Sequence, residues 1–143
     1  MVVTVDFAAP PDEVFGYLAD PGRRPEWQAS LRRIEALNGD GGVGTTWRDV
    51  TALGARPRME VTDHEQGRTW AEVGHWRGLT ARLRLDLSPV ADGTRVTATF
   101  DVTAAAPLRP AAWVLGRLAS YGVRSDLRRA ARVVGSGPTK ERT

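Results

Sequence analysis

The 143-residue chain has no cysteine, only two histidines (His64 and His75), and a single lysine among its twenty basic residues, Lys140. Without cysteine there is no disulfide framework, no thiolate metal site and no thiol nucleophile. No serine lies in a nucleophile-elbow motif. No stretch approaches the ~18–20 consecutive apolar residues of a membrane-spanning helix. Residues 1–9 lack the basic start and long apolar centre of a signal peptide, so a cytoplasmic protein with no membrane insertion is expected. The glycines at 39–44 lack the strand–loop–helix context of a phosphate-binding loop. Internal repeats and low-complexity tracts are absent. What remains is a chain long enough for one domain with a core of its own.

The charge is unevenly placed. Residues 109–143 hold eight basic and two acidic side chains, a net +6, against −3 for the rest. A basic terminal helix suits nucleic acid or an anionic surface. It equally suits a solvated face whose cations complement the helix dipole. No nucleic-acid motif accompanies the charge, so no nucleic-acid partner is expected.

Residues 68–102 are the most informative stretch. Arg77-Gly78 between alternating runs reads as a two-residue hairpin loop. It places Trp76 opposite Leu79, Gly74 opposite Ala81, Glu72 opposite Leu83 and Trp70 opposite Leu85. A turn around Ala91-Asp92-Gly93 then pairs Leu85 with Ala98, Leu83 with Phe100 and Ala81 with Val102. One face therefore carries Trp70, Glu72, Gly74, Trp76, Leu79, Ala81, Leu83, Leu85, Leu87, Val96, Ala98, Phe100 and Val102. It is apolar, with one acid in its middle. A concave face of this kind suits an enclosed pocket for a hydrophobic ligand.

The rest of the chain supplies a strand at 2–7, a helix opened by Pro10-Pro11-Asp12-Glu13, a short helical turn at Pro25-Glu26-Trp27, and strands at 31–37, 45–51 and 58–65. A closing helix covers 107–134, with Gly116 and Gly122 as places to bend; on a bent helix Asp126 and Arg129 are exposed. The order predicts an α+β fold, an antiparallel sheet with one long helix across its apolar face. The domain spans 1–134, followed by a polar tail, 135–143, expected to fray.

Glu72 is the candidate catalytic residue. Burial disfavours its charged form, which suits a general acid or base or an anchor for a polar ligand end. The alternatives are a structural pairing with an arginine, or a solvent-facing side chain. Continuing the parity through the Gln66-Gly67 turn pairs Asp63 with Trp70 and Met59 with Gly74. His64 and His75 then both lie on the outer face, where they make neither a metal site nor a catalytic pair. For strand 45–51 two arrangements stand: an odd loop turns Trp47 and Asp49 inward, a two-residue loop turns Arg48 and Val50 inward.

Several short motifs, in order and spacing, resemble the START-like (SRPBCC, helix-grip) superfamily, and within it the polyketide cyclase/dehydrase branch. They are Pro10-Pro11-Asp12-Glu13-Val14-Phe15, Asp20-Pro21 through Pro25-Glu26-Trp27, Gly42-Val43-Gly44-Thr45 and Asp92-Gly93-Thr94-Arg95-Val96. The resemblance covers about residues 2–134. It implies a curved seven-stranded antiparallel sheet wrapped around the C-terminal helix, two short helices after strand 1, and a cavity between sheet and helix. It also implies that Trp27 packs near that cavity. The expected lining is Trp27, Met59, Trp70, Glu72, Gly74, Trp76, Leu83, Phe100, Leu115 and Leu118. Trp113, off the main apolar stripe, caps the pocket mouth or lies at a dimer contact. The function expected is binding of an aromatic, polyketide-like or lipid-like molecule, with cyclase or dehydratase chemistry as one form. The alternatives are a non-catalytic carrier or sensor, and an interaction module using the basic helix. No cofactor or metal is expected, and the chain is a monomer or homodimer.

Overall fold

Arg77 (φ 47°) and Gly78 (φ 79°) both occupy the left-handed region, the geometry of the tight turn that matches strand twist. That turn sets the register of β5 (Thr69–Trp76) against β6 (Leu79–Val90), with Trp76 opposite Leu79, Glu72 opposite Leu83 and Trp70 opposite Leu85. β7 (Gly93–Ala104) continues it, pairing Leu83 with Phe100 and Ala81 with Val102. Both hairpins have the register read from the sequence. Gly93 opens β7 at φ 156°, and a Cβ there would collide with the Phe7 carbonyl.

The computed structural model describes residues 1–135, without the side chains of Leu118, Ser120 and Tyr121. The other elements are β1 (Val2–Phe7), α1 (Pro11–Leu18), a 3-10 helix (Pro21–Glu26), β2 (Leu31–Asn38), β3 (Thr46–Thr51), β4 (Arg58–Glu65) and α2 (Arg109–Gly135). The seven strands form one antiparallel sheet in the order β1-β7-β6-β5-β4-β3-β2. α2 packs on β1 and β7. Its Leu127 and Ala130 join Val3, Val5, Phe7, Phe15, Leu18, Leu85, Val96 and Ala98 in the core. This is the α+β helix-grip arrangement expected. Among the described residues no helix is long and apolar enough to cross a membrane. Residues 136–143 of the expected tail, and the side chain of Leu118, lie outside the described residues.

Two local expectations are corrected. β4 carries a bulge between Val61 and Asp63, so Asp63 faces Ala71 and His64 faces Trp70. One extra residue reverses the parity beyond it. His64 therefore turns to the inner side, its ring 5.2 Å from Phe15 and 5.7 Å from Trp70, with Nδ1 donating to the Gly41 carbonyl at 2.8 Å. His75 stays on the outer face, exposed. α2 runs without a break, and Asp126 is half-buried rather than exposed because its carboxylate accepts from the Ala29 amide (3.2 Å). Arg129 is exposed.

The inner face is not covered along its whole length. Leu85, Val96 and Ala98 are fully buried. Towards the Arg77-Gly78 turn, Leu79 and Val102 are half-buried and Ala81 is exposed. The concave sheet is open at this end.

Candidate functional site

The site is built where that open end meets the 3-10 helix. Asp20 caps this helix by accepting from the Gly22 amide at 3.0 Å, and Pro21 occupies its first turn, where a missing N–H costs nothing. The cap fixes the start of a short segment whose Arg24 is buried against the sheet, 1% exposed. Its Nη1 donates to Glu72 Oε2 at 2.8 Å and its Nη2 donates to Glu72 Oε1. Trp70 Nε1 approaches Glu72 Oε1 at 3.4 Å. The guanidinium lies 5.2 Å from the ring centre of Trp47 and 5.9 Å from that of Trp27, within cation–π range.

Asp49 completes the cluster. Trp47 pairs with Met59 across β3 and β4, which centres the connecting loop on a residue and turns Trp47 and Asp49 inward. Both are buried, and Trp47 Nε1 donates to Asp49 Oδ1 at 2.9 Å. Of the two arrangements open in the sequence, the odd loop is the one present. Burial raises the Asp49 carboxyl above the ordinary aspartate value; Arg24 opposes this, the Glu72 charge adds to it, and the Trp47 N–H opposes it. Burial works against the Arg24 charge, and Glu72 and then Asp49 more than restore it, so the guanidinium is held charged. Arg24 Nε is buried and has no partner among the described residues.

A cleft of about 170 Å³ reaches this cluster. Met59, Ala81, Leu83, Phe100 and Val102 line it from the sheet, Ala119 and Val123 from α2, and Arg24, Gln28, Asp49 and Glu72 supply polar groups. A wider cleft of about 480 Å³ shares Phe100, Asp101 and Val102 and runs to Trp113, Gly116 and Arg117 on α2.

Residues 1–135 match the model of the polyketide cyclase / dehydrase and lipid transport family. The chain belongs to this family. No curated protein matches it. Among solved structures it is similar to TTHA0849 from Thermus thermophilus, with TM-score 0.76 and 18% identity over 94% of this chain and 95% of that one. MLL2253 from Mesorhizobium loti is comparable, at TM-score 0.74 and 18% identity over 94% and 95%. DynU16, described as a putative protein in the dynemicin biosynthetic locus, gives TM-score 0.69 and 21% identity over 96% of this chain and 47% of that chain. At these identities the likeness speaks for the fold, and family membership leaves the chemistry to the site.

Of the residues expected to line a cavity, Met59, Glu72, Leu83 and Phe100 line the 170 Å³ cleft. Trp27 and Trp70 are buried in the core around the cluster. Gly74 is covered by Met59, whose Sδ would sit 2.7 Å from a Cβ at that position. Trp76 is half-buried beside the turn, with Arg77 stacked on it at 4.9 Å. Leu115 is 43% exposed on α2 because the helix turns it outward, and Trp113 is 64% exposed. The pairing of Glu72 with an arginine, one of the alternatives for that residue, is the arrangement present. Sequence reasoning did not single out Arg24. The Asp20-Pro21 cap was the available signal, because a short capped helix packed between α1 and β2 must bury one side.

Proposed function

We propose that this protein binds a hydrophobic small molecule in the cleft between β4–β7 and α2, with a polar end of the ligand directed at Asp49 and Arg24. The observation behind this is a concave apolar surface with three ionisable side chains buried in its floor. Burying a guanidinium and two carboxyls costs several kcal/mol per uncompensated charge; an apolar core would avoid it. Such groups are concentrated where polar recognition or proton transfer is needed. The family's description includes both cyclase/dehydrase chemistry and lipid transport, and one structural neighbour comes from a biosynthetic locus. An aromatic or polyketide-like ligand fits both. Native mass spectrometry of the purified protein tests this: a retained organic molecule, lost on filling the cleft, is the expected result.

Catalysis of a cyclisation or dehydration would add a proton-moving group. Glu72, the acid first expected to serve, has both oxygens engaged by Arg24. Asp49 lines the same cleft and holds its proton more readily than an ordinary aspartate. In the enzymatic form of this reading, Asp49 exchanges the proton and Glu72 orients Arg24. Turnover should then fall ~10²–10⁴-fold in Asp49→Asn, whereas a carrier would change only in affinity.

A second reading, docking through the basic helix, is favoured by Leu108, Trp113, Val114 and Leu115, all at least 40% exposed beside Arg109 and Arg117. Its homodimer form is tested by sedimentation over a concentration series. Self-association lost in Trp113→Glu supports it, and a monomer throughout rejects it.

A further inference from the structure

The way Arg24 is used constrains the charge of whatever enters the cleft. Both terminal nitrogens of its guanidinium are committed to Glu72. The Nε–H is buried and without a partner among the described residues. Asp49 stands in the same cleft with one oxygen engaged by Trp47. The floor thus holds one cation, already neutralised, and one further acid.

We infer that the cleft selects an uncharged ligand with an oxygen acceptor at its buried end, such as a ketone, and excludes carboxylates, with Asp49 as the specificity-determining residue. An incoming carboxylate meets two acids and a guanidinium whose charge is already spent on one of them. Two carboxyls sharing a low-dielectric site disfavour each other's ionisation, and a third adds to the conflict. An ammonium ligand would satisfy Asp49 but bring a second cation against the first. A neutral carbonyl brings no further charge to this floor, and it accepts from the Asp49 hydroxyl when that group is protonated. Arg82 also borders the cleft, but it is exposed and sits opposite Asp101 on the neighbouring strand, so water and Asp101 offset its charge.

This inference rests on the cleft being the ligand site. Calorimetric titration at pH 7 with three probes on one skeleton tests it: 2-acetylnaphthalene, 2-naphthoate and 2-naphthylmethylammonium. The ketone should bind at least tenfold more tightly than either ion. Equal or tighter binding of the carboxylate or the ammonium overturns the selectivity. Absence of binding by all three, with no competition against any co-purified molecule, overturns the cleft reading itself. In Asp49→Asn the ketone-to-carboxylate ratio should fall at least tenfold; an unchanged ratio in a folded variant removes Asp49 as its cause. Should that variant not fold, the wild-type ranking of the three probes still decides the selectivity.

Discussion

Arg24 and Glu72, forty-eight residues apart in the chain, meet as a two-pronged ion pair with both side chains 2% exposed. One comes from the short 3-10 helix and the other from the middle of the sheet. The pair ties the segment after α1 to the floor of the cleft. Desolvation of two charges opposes the attraction between them, and the bidentate geometry offsets it. Such a pair is most costly when half of it is removed, since the remaining charge stays buried.

Glu72→Leu should therefore destabilise the fold by about 3–5 kcal/mol. Arg24→Met combined with Glu72→Leu should cost less than either change alone, because no charge is stranded. Urea denaturation of the three variants measures this as a double-mutant cycle. Additive losses would show that the two side chains act independently.

Asp49 sets a pH dependence of opposite sign to that of a salt-bridged carboxylate. Its carboxyl is raised in the folded protein, so the native state binds more protons than the unfolded state once the pH exceeds the ordinary aspartate value of about 3.9. Stability from this group then falls as pH rises from that value through the raised folded one. Asp49→Asn should gain on the wild type between pH 4 and pH 7. Denaturation midpoints at the two pH values check it; a difference that does not grow with pH contradicts the argument.

How far the sequence revealed this molecule follows from where its information is local. Arg77-Gly78 sits between alternating runs, and a two-residue turn leaves one register, so β5, β6 and β7 were legible to the residue. The bulge after Val61 has no such marker. Parity counting through it put His64 on the wrong side, although Met59, before the bulge, was assigned correctly. Glu72 was legible as an inward acid, but its partner was not. Arg24 lies in a turn too short to show a period, and nothing local says which of the many arginines a buried acid will take. Asp49 depended on whether a loop had an odd or even length, which only the pairing of Trp47 with Met59 decides.

Two glycines that look alike in the sequence should respond differently to the same change. Gly93→Ala needs a side chain at φ 156° and drives its Cβ into the Phe7 backbone, which cannot move without shifting β1. It should cost about 2–4 kcal/mol. Gly74→Ala presses on the Sδ and Cε of Met59, at 2.7 and 3.1 Å, the end of a flexible chain, and meets the Arg58 carbonyl at an ordinary 3.9 Å. It should cost less than about 1 kcal/mol. Thermal denaturation of both variants compares them, and equal losses would mean that Met59 is as fixed as backbone.

The position for closing the cleft follows from that contrast. Gly74 is unsuitable, since a large side chain there displaces Met59 within the core. Ala81 lines the cleft, lies on the inner face opposite Gly74 and Val102, and is nevertheless exposed. A phenylalanine at this position extends into the open end without displacing a buried atom. Ala81→Phe should keep the wild-type melting temperature within a few degrees, because a surface substitution away from special features is usually worth less than ~0.5 kcal/mol. Affinity for 2-acetylnaphthalene should fall at least tenfold, since the ring occupies volume that the ligand needs in a cleft of only about 170 Å³. Calorimetric titration of the variant gives the answer. Retained stability with undiminished affinity would place the ligand elsewhere, with the wider cleft beside Trp113 as the next surface to block.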